Sequence, residues 1–198
     1  GMDVREGKKL IQDFIQHLPE ASMGIEPYPL SLRSINWIRF LSCNGINDVD
    51  IDAVLYAQLN LLIHKLEYHL LGNHLLENGF ALLFGAYYFN DPVFYKKAKT
   101  ILIPELQEQV LGDGGHFERS PMYHCIMLYR VLDCYNLVRN NALFGKELED
   151  TLKEKAGGML GWLEEVVYSD GRIPLLNDAA VGIAPTAKEL IEYGQRLG

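Results

Sequence analysis

A chain of 198 residues, 48% hydrophobic and 22% charged, has the length and composition of one folded globular domain and not of a disordered segment. Its formal charge of −8 excludes a surface built for nucleic acid or anionic lipid, while leaving room for a local basic cleft facing a polyanionic sugar. No apolar run nears the ~18 residues needed to cross a membrane, and Cys43, Cys125 and Cys134 are an odd number without metal-ligand spacing.

In chain order, Gly1 ahead of Met2 reads as a cloning scar, so any leader would lie upstream. Val4, Leu10, Ile11, Phe14, Ile15 and Leu18 recur at helical spacing over residues 4–18, and Pro19 follows as a stop. Residues 19–30 read as a Pro/Gly-rich connection, after which Ser31 caps a helix through Leu41 that Asn44-Gly45 ends. Asp48 or Asp50 opens a long helix to about Leu70. Gly72 separates it from a helix over Asn73 to Phe89, apolar nearly all round and therefore expected at the centre of the core.

Asp91 with Pro92 is a cap followed by a first-turn proline, opening a helix to about Val110 in which Pro104 predicts a kink or break. Ser120-Pro121 repeats the arrangement and starts a helix to about Asn140, within which Cys125 and Cys134 read as small packed hydrophobes. A helix over 146–167 is expected to loosen at Gly157-Gly158. Residues 168–185 are turn-rich, and Thr186 to Glu189 form a capping box for the last helix. No strand-like alternation stands out. The class is all-α, with short capped turns predicting antiparallel helix pairs.

Polar chemistry concentrates at two helix starts. In the first, Asn73 and Glu77 share one helical face and His74 and Asn78 the next, close to the unpaired N–H groups of the helix, which favour an anion. An ordinary cap at Asn73 and a packed His74 explain the same residues. In the second, Asp113-Gly114-Gly115-His116-Phe117-Glu118-Arg119 runs into Ser120-Pro121-Met122-Tyr123-His124. Tyr123 falls in the first turn, where a phenol can project from the helix end. His116 and His124 can orient it or be structural. Glu118 and Arg119 can bind hydroxyls and an anion, or fix the turn between themselves. The glycines of the turn predict a backbone with φ > 0 and no phosphate loop. His64 and His69, with Glu67 between, fall on different helical faces without a third ligand, so neither metal nor cofactor is expected.

The segments PYPLSLRSINWIRF, NHLLENG, GDGGHFERSPMYH and DGRIPLLNDAA, in that order over residues 27–180, resemble the α-helical toroid domain of the heparinase II/III-like polysaccharide lyases. The resemblance implies an incomplete α/α toroid, and a second, β-rich domain of the same polypeptide carrying further active-site residues, so that residues 1–198 alone should turn over little substrate. It implies a lyase that cuts a uronate-containing polysaccharide by β-elimination, in the periplasm or secreted, with the cytoplasm as the alternative. It further implies Asn73 and His74 at the substrate carboxylate and Tyr123 as the catalytic acid or base. Glu77, His116, Glu118, Arg119 and His124 would bind substrate.

The expected partner is an acidic polysaccharide, with no nucleic acid and no membrane. For Tyr123 to act as a base its pKa must be lowered, and Arg119 or a histidine is the local group to do it. Two other readings stay open: a non-catalytic glycan-binding toroid, and a glycoside hydrolase using Glu77 with Glu118 or Asp178.

Overall fold

The structure is a computed structural model that describes residues 3–20, 23–70 and 72–198; Gly1 with the expected scar, and part of the 19–30 connection, lie outside them. The described residues form eight helices, α1 (Val4–His17), α2 (Pro27–Cys43), α3 (Val49–His64), α4 (His74–Phe89), α5 (Pro92–Gln109), α6 (Pro121–Asn140), α7 (Glu147–Val166) and α8 (Ala187–Leu197), with a 3-10 turn at Leu18–Glu20. The one extended pairing among them is an isolated bridge between Val110 and His116. The all-α class is thus shown, and no described helix is long and apolar enough to cross a membrane.

The chain divides into two compact units, Gly1–Ala98 and Lys99–Gly198, the division falling within α5. In the first, α4 packs against α2 and α3, and α1 against α3. As its all-round apolarity predicts, α4 is buried from Leu75 to Ala86, against Leu30, Ile35 and Leu41 of α2 and Leu55, Leu59 and Leu62 of α3. Each such side chain contributes about 1.5–3 kcal/mol when fully removed from water. In the second unit α6, α7 and α8 pack on one another around Leu128, Val131, Leu152, Met159 and Leu163. Helices α6 and α7 are each 20 residues long. Two packed rods of that length, joined by the short link 141–146, have to run antiparallel.

The expected caps form. Asp48 accepts the N–H groups of Asp50 and Ile51, Asp91 those of Val93 and Phe94, Ser120 that of Tyr123, and Thr186 with Glu189 completes the capping box. Cys125 and Cys134 are buried, as their place in the helical pattern predicts.

Four expectations are corrected. Helix α2 begins at Pro27, not at Ser31, because prolines in a first turn forfeit only N–H groups that have no partner there anyway. Ser31 therefore lies inside the helix and donates its hydroxyl to the Pro27 carbonyl at 2.8 Å. Helix α3 stops at His64, well short of Leu70, since the backbone of Glu67 is taken by a side chain of α4. Helix α5 runs unbroken through Pro104, with Ile101, Leu102 and Leu106 buried around it. Helix α7 runs unbroken through Gly157 and Gly158. The close approach to α7 at this point depends on Gly114, which has φ +88° and on which a Cβ would stand 2.1 Å from the Gly158 carbonyl oxygen.

Candidate functional site

In the first unit the polar residues at the start of α4 form a chain of hydrogen bonds. The Glu67 backbone N–H donates to Asn78 Oδ1 at 3.0 Å. That bond fixes the orientation of the Asn78 amide, whose Nδ2 donates to Ser31 Oγ at 3.1 Å and to Glu67 Oε2 at 3.0 Å. The other carboxylate oxygen, Oε1, stands 3.3 Å from His74 Nδ1. The Tyr28 ring lies against the imidazole, centroid to centroid 4.5 Å. Glu67 and Asn78 are buried, whereas the His74 side chain is 38% exposed.

Asn73 occupies the position before α4 with φ −79° and ψ −4°, and its side chain makes no cap bond. Its carboxamide is thus not committed to the first turn, as the capping explanation required. Glu77 points inward and is 1% exposed. The Glu67 that the sequence grouped with His64 and His69 instead sits behind His74. Among the described residues no three His, Cys, Asp or Glu side chains are grouped to hold a metal ion.

In the second unit the turn 111–119 is held by Leu111 N–H to the Gly115 carbonyl and Phe117 N–H to the Gln109 carbonyl, each at 2.9 Å. These bonds bury His116 (2% exposed) and His124 (0%) behind the turn. The His116 backbone N–H donates to His124 Nδ1 at 3.3 Å, so His124 carries its proton on Nε2 and donates it to the Met159 carbonyl at 3.0 Å. Trp162 lies against the His124 ring at 4.4 Å. Burial pushes both imidazoles down to about 4, with the neighbouring His124 adding to the effect at His116. Both are neutral near pH 7.

Tyr123 is the third residue of α6, half-buried, with its phenol 3.5 Å from Asp178 Oδ2. The segment that brings Asp178 there is fastened to the start of α6 by four bonds. Ser120 Oγ donates to the Asp178 carbonyl at 3.0 Å, and Asn177 Nδ2 to the carbonyls of Arg119 at 2.8 Å and Glu118 at 3.4 Å. The Ala180 N–H reaches Met122 Sδ at 3.3 Å. Asn177 and Arg119 both take left-handed φ of 54°, a conformation uncommon outside glycine and frequent at functional sites. Of the turn-rich stretch 168–185, Asn177 and Asp178 thus lie against Tyr123 and the residues before it. A hollow of about 420 Å³ beside Tyr168, Arg172, Leu175 and Val181 is lined by neither Glu118 nor Tyr123.

The electrostatics of this cluster do not meet the condition set for Tyr123 as a base. Tyr123 has its pKa raised, first by the negative charge of Asp178, then by burial and by Glu118. Glu118 is itself raised by burial and by Asp178. Each influence on the phenol raises its pKa and none among the described residues is a cation: the two histidines are neutral, and Arg119 is exposed. In its resting form Tyr123 is a protonated phenol, a donor.

The family model described as the heparinase II/III N-terminus matches residues 29–193, and the chain belongs to that family of polysaccharide lyases. Among solved structures, the crystal structure of the heparan sulfate lyase HepC from Pedobacter heparinus matches with a TM-score of 0.62 and 20% sequence identity. The match covers 86% of this chain and 29% of that one, so the chain spans less than a third of that lyase's length. At this identity the likeness shows the fold, and it is the toroid-type helical fold expected from the resemblance. No curated protein sequence matches significantly.

Proposed function

We propose that this chain is the helical part of a lyase that cleaves a uronate-containing polysaccharide by β-elimination, as the N-terminal portion of a periplasmic or secreted protein. The supporting observation is the phenol of Tyr123, its pKa raised by Asp178, burial and Glu118, in a chain of the heparinase II/III family. In this reaction a base removes the proton at C5 of the uronate, and the electron pair passes first onto the C6 carboxylate. The C4–O bond then breaks, a C4=C5 double bond forms, and the leaving oxygen takes a proton. A phenol whose pKa is raised supplies that last proton and is ill suited to removing the first.

Asn73 and His74 are assigned to the C6 carboxylate, where donors fixed in advance stabilise charge as it develops. Asn73 offers a carboxamide that makes no cap bond, and His74 an imidazole that is 38% exposed. Arg119, exposed beside Tyr123, is assigned to an anionic group of the polymer and Glu118 to a hydroxyl. Glu77, His116 and His124 are interior, so their part is to shape and hold the residues that meet the substrate. The hydrolase alternative required Glu77 as one of two substrate-facing carboxylates, and its burial speaks against that.

The test is the absorbance of the unsaturated uronate product as the full-length protein is incubated with heparan sulfate, hyaluronan, chondroitin and alginate in turn. A rise that falls about 10²–10⁴-fold in Tyr123→Phe, at unchanged melting temperature, is the expected result. Saturated products with a new reducing end, or undiminished cleavage by Tyr123→Phe, would overturn the assignment.

A further inference from the structure

We infer that Glu67 is the positioning residue of His74: its carboxylate holds the imidazole in the Nδ1–H form, turns Nε2 to solvent, and balances the charge when His74 meets an anionic sugar as imidazolium. The inference rests on the reading of His74 as a uronate-facing group and deepens it by naming what aims that group.

Hydrogen counting makes the argument. The Asn78 amide is fixed by the Glu67 N–H at its oxygen, so both its hydrogens point away, to Ser31 Oγ and to Glu67 Oε2. Ser31 Oγ spends its own hydrogen on the Pro27 carbonyl and is free to accept. One Glu67 oxygen is therefore filled, and the other faces only His74 Nδ1. A carboxylate oxygen only accepts, so Nδ1 carries the hydrogen. Tyr28 against the ring face blocks its rotation, and Nε2 has no protein partner among the described contacts. A carboxylate 6% exposed, placed behind a half-exposed imidazole, acts on whatever approaches from the other side.

The same geometry would also arise if Glu67 did no more than hold the turn between α3 and α4, so the test must read the imidazole itself. Glu67→Gln separates the two roles. The glutamine has one accepting oxygen, which the Asn78 amide claims; its NH₂ then faces His74 and can only donate to Nδ1, which drives the imidazole hydrogen to Nε2. Long-range ¹H–¹⁵N correlation spectra of the histidine-labelled chain, in the neutral form of His74, read this directly. The wild type should show Nδ1–H with Nε2 bare, Glu67→Asp the same, and Glu67→Gln the inverse.

An Nε2–H wild type would overturn the inference without any variant, which keeps it testable should Glu67→Gln fail to fold. An unchanged pattern in a folded Glu67→Gln would overturn it as well. Titration with a heparan sulfate tetrasaccharide adds the functional side. Glu67→Gln should weaken binding about tenfold, the scale seen when a carboxylate behind a metal-bound histidine is removed; unchanged binding with an inverted tautomer would refute the charge-balancing part. If instead His74→Ala leaves binding and cleavage intact, the reading of His74 fails while the tautomer result stands.

Discussion

The two units solve the problem of placing an imidazole at a helix start in opposite ways. In the first, His74 is pushed outward on a buried carboxylate, Glu67, which is itself tied to α4 through Asn78. In the second, His116 and His124 are drawn inward, neutral and packed on Trp162 or behind a turn, and a tyrosine among carboxylates takes the exposed place. Both runs read alike as sequence, a histidine beside glycine and acidic residues. What separates them is what lies over the ring: the 111–119 turn buries the second pair, whereas His74 has the Tyr28 ring against one side and stays 38% exposed.

The largest consequence of that difference is in acid. His116 and His124 titrate near 4 when folded and near 6.5 when unfolded, so between those values the unfolded chain binds protons that the folded chain refuses. Stability should be fully present above about 6.5, fall as the pH drops through the window, and level off below 4, by about 3 kcal/mol for each imidazole. The chain's two tryptophans divide between the units, Trp37 and Trp162. In Trp37→Phe the fluorescence of Trp162 should report this loss. A Trp162 signal that stays flat from pH 6.5 to 4 would break the comparison.

Next in size is Gly114→Ala, which strains a left-handed backbone and drives a methyl group into the Gly158 carbonyl. We expect about 3 kcal/mol or more of destabilisation in urea, read at Trp162. Asn78→Ala should cost about 2 kcal/mol, because the Glu67 N–H and carboxylate lose their buried partner. Urea titration of Trp162→Phe, with Trp37 as the probe, measures it, and a neutral outcome would mean that water replaces the amide at no cost. The smallest effect is Asp178→Asn. Removing the first cause of the raised Tyr123 pKa should let the phenol ionise at lower pH, seen by ¹³Cζ tyrosine spectra with little change in melting temperature. An unmoved Tyr123 resonance would point to burial, and not Asp178, as the dominant influence.

Much of the fold was legible because its signals are local. Asp48, Asp91, Ser120 and Thr186 cap helices wherever the chain folds, and α4 announces its burial by being apolar all round. What misled was local evidence overruled from a distance. Pro27 and Pro29 look like a connection, yet a first turn accommodates them; Pro104 and the Gly157-Gly158 pair look like breaks, yet packed neighbours carry the helices through. The site divides likewise. Tyr123 and His74 are singled out by the family resemblance, since helix position alone fits an ordinary packed residue equally well. The partnership of Glu67 with His74 depends on a turn that replaces the end of an expected helix, and the contact of Asp178 with Tyr123 spans 55 residues that carry no periodic signal linking them. With Asp178 unplaced, the sequence leaves Tyr123 open as acid or base; the contact with Asp178 raises its pKa, which does not meet the condition for a base.

The fastening of Asn177 to Ala180 onto the start of α6 has a consequence for the order of synthesis. Its bonds join residues 58 or 59 apart in the chain. When α6 leaves the ribosome its capping serine and its tyrosine are already in place, but the carboxylate that raises the pKa of the phenol has yet to be made. For the time it takes to translate α7 and the loop after it, the emerging chain carries Tyr123 without its carboxylate neighbour, so the surroundings of this tyrosine are completed late even though the helix that bears it is finished early.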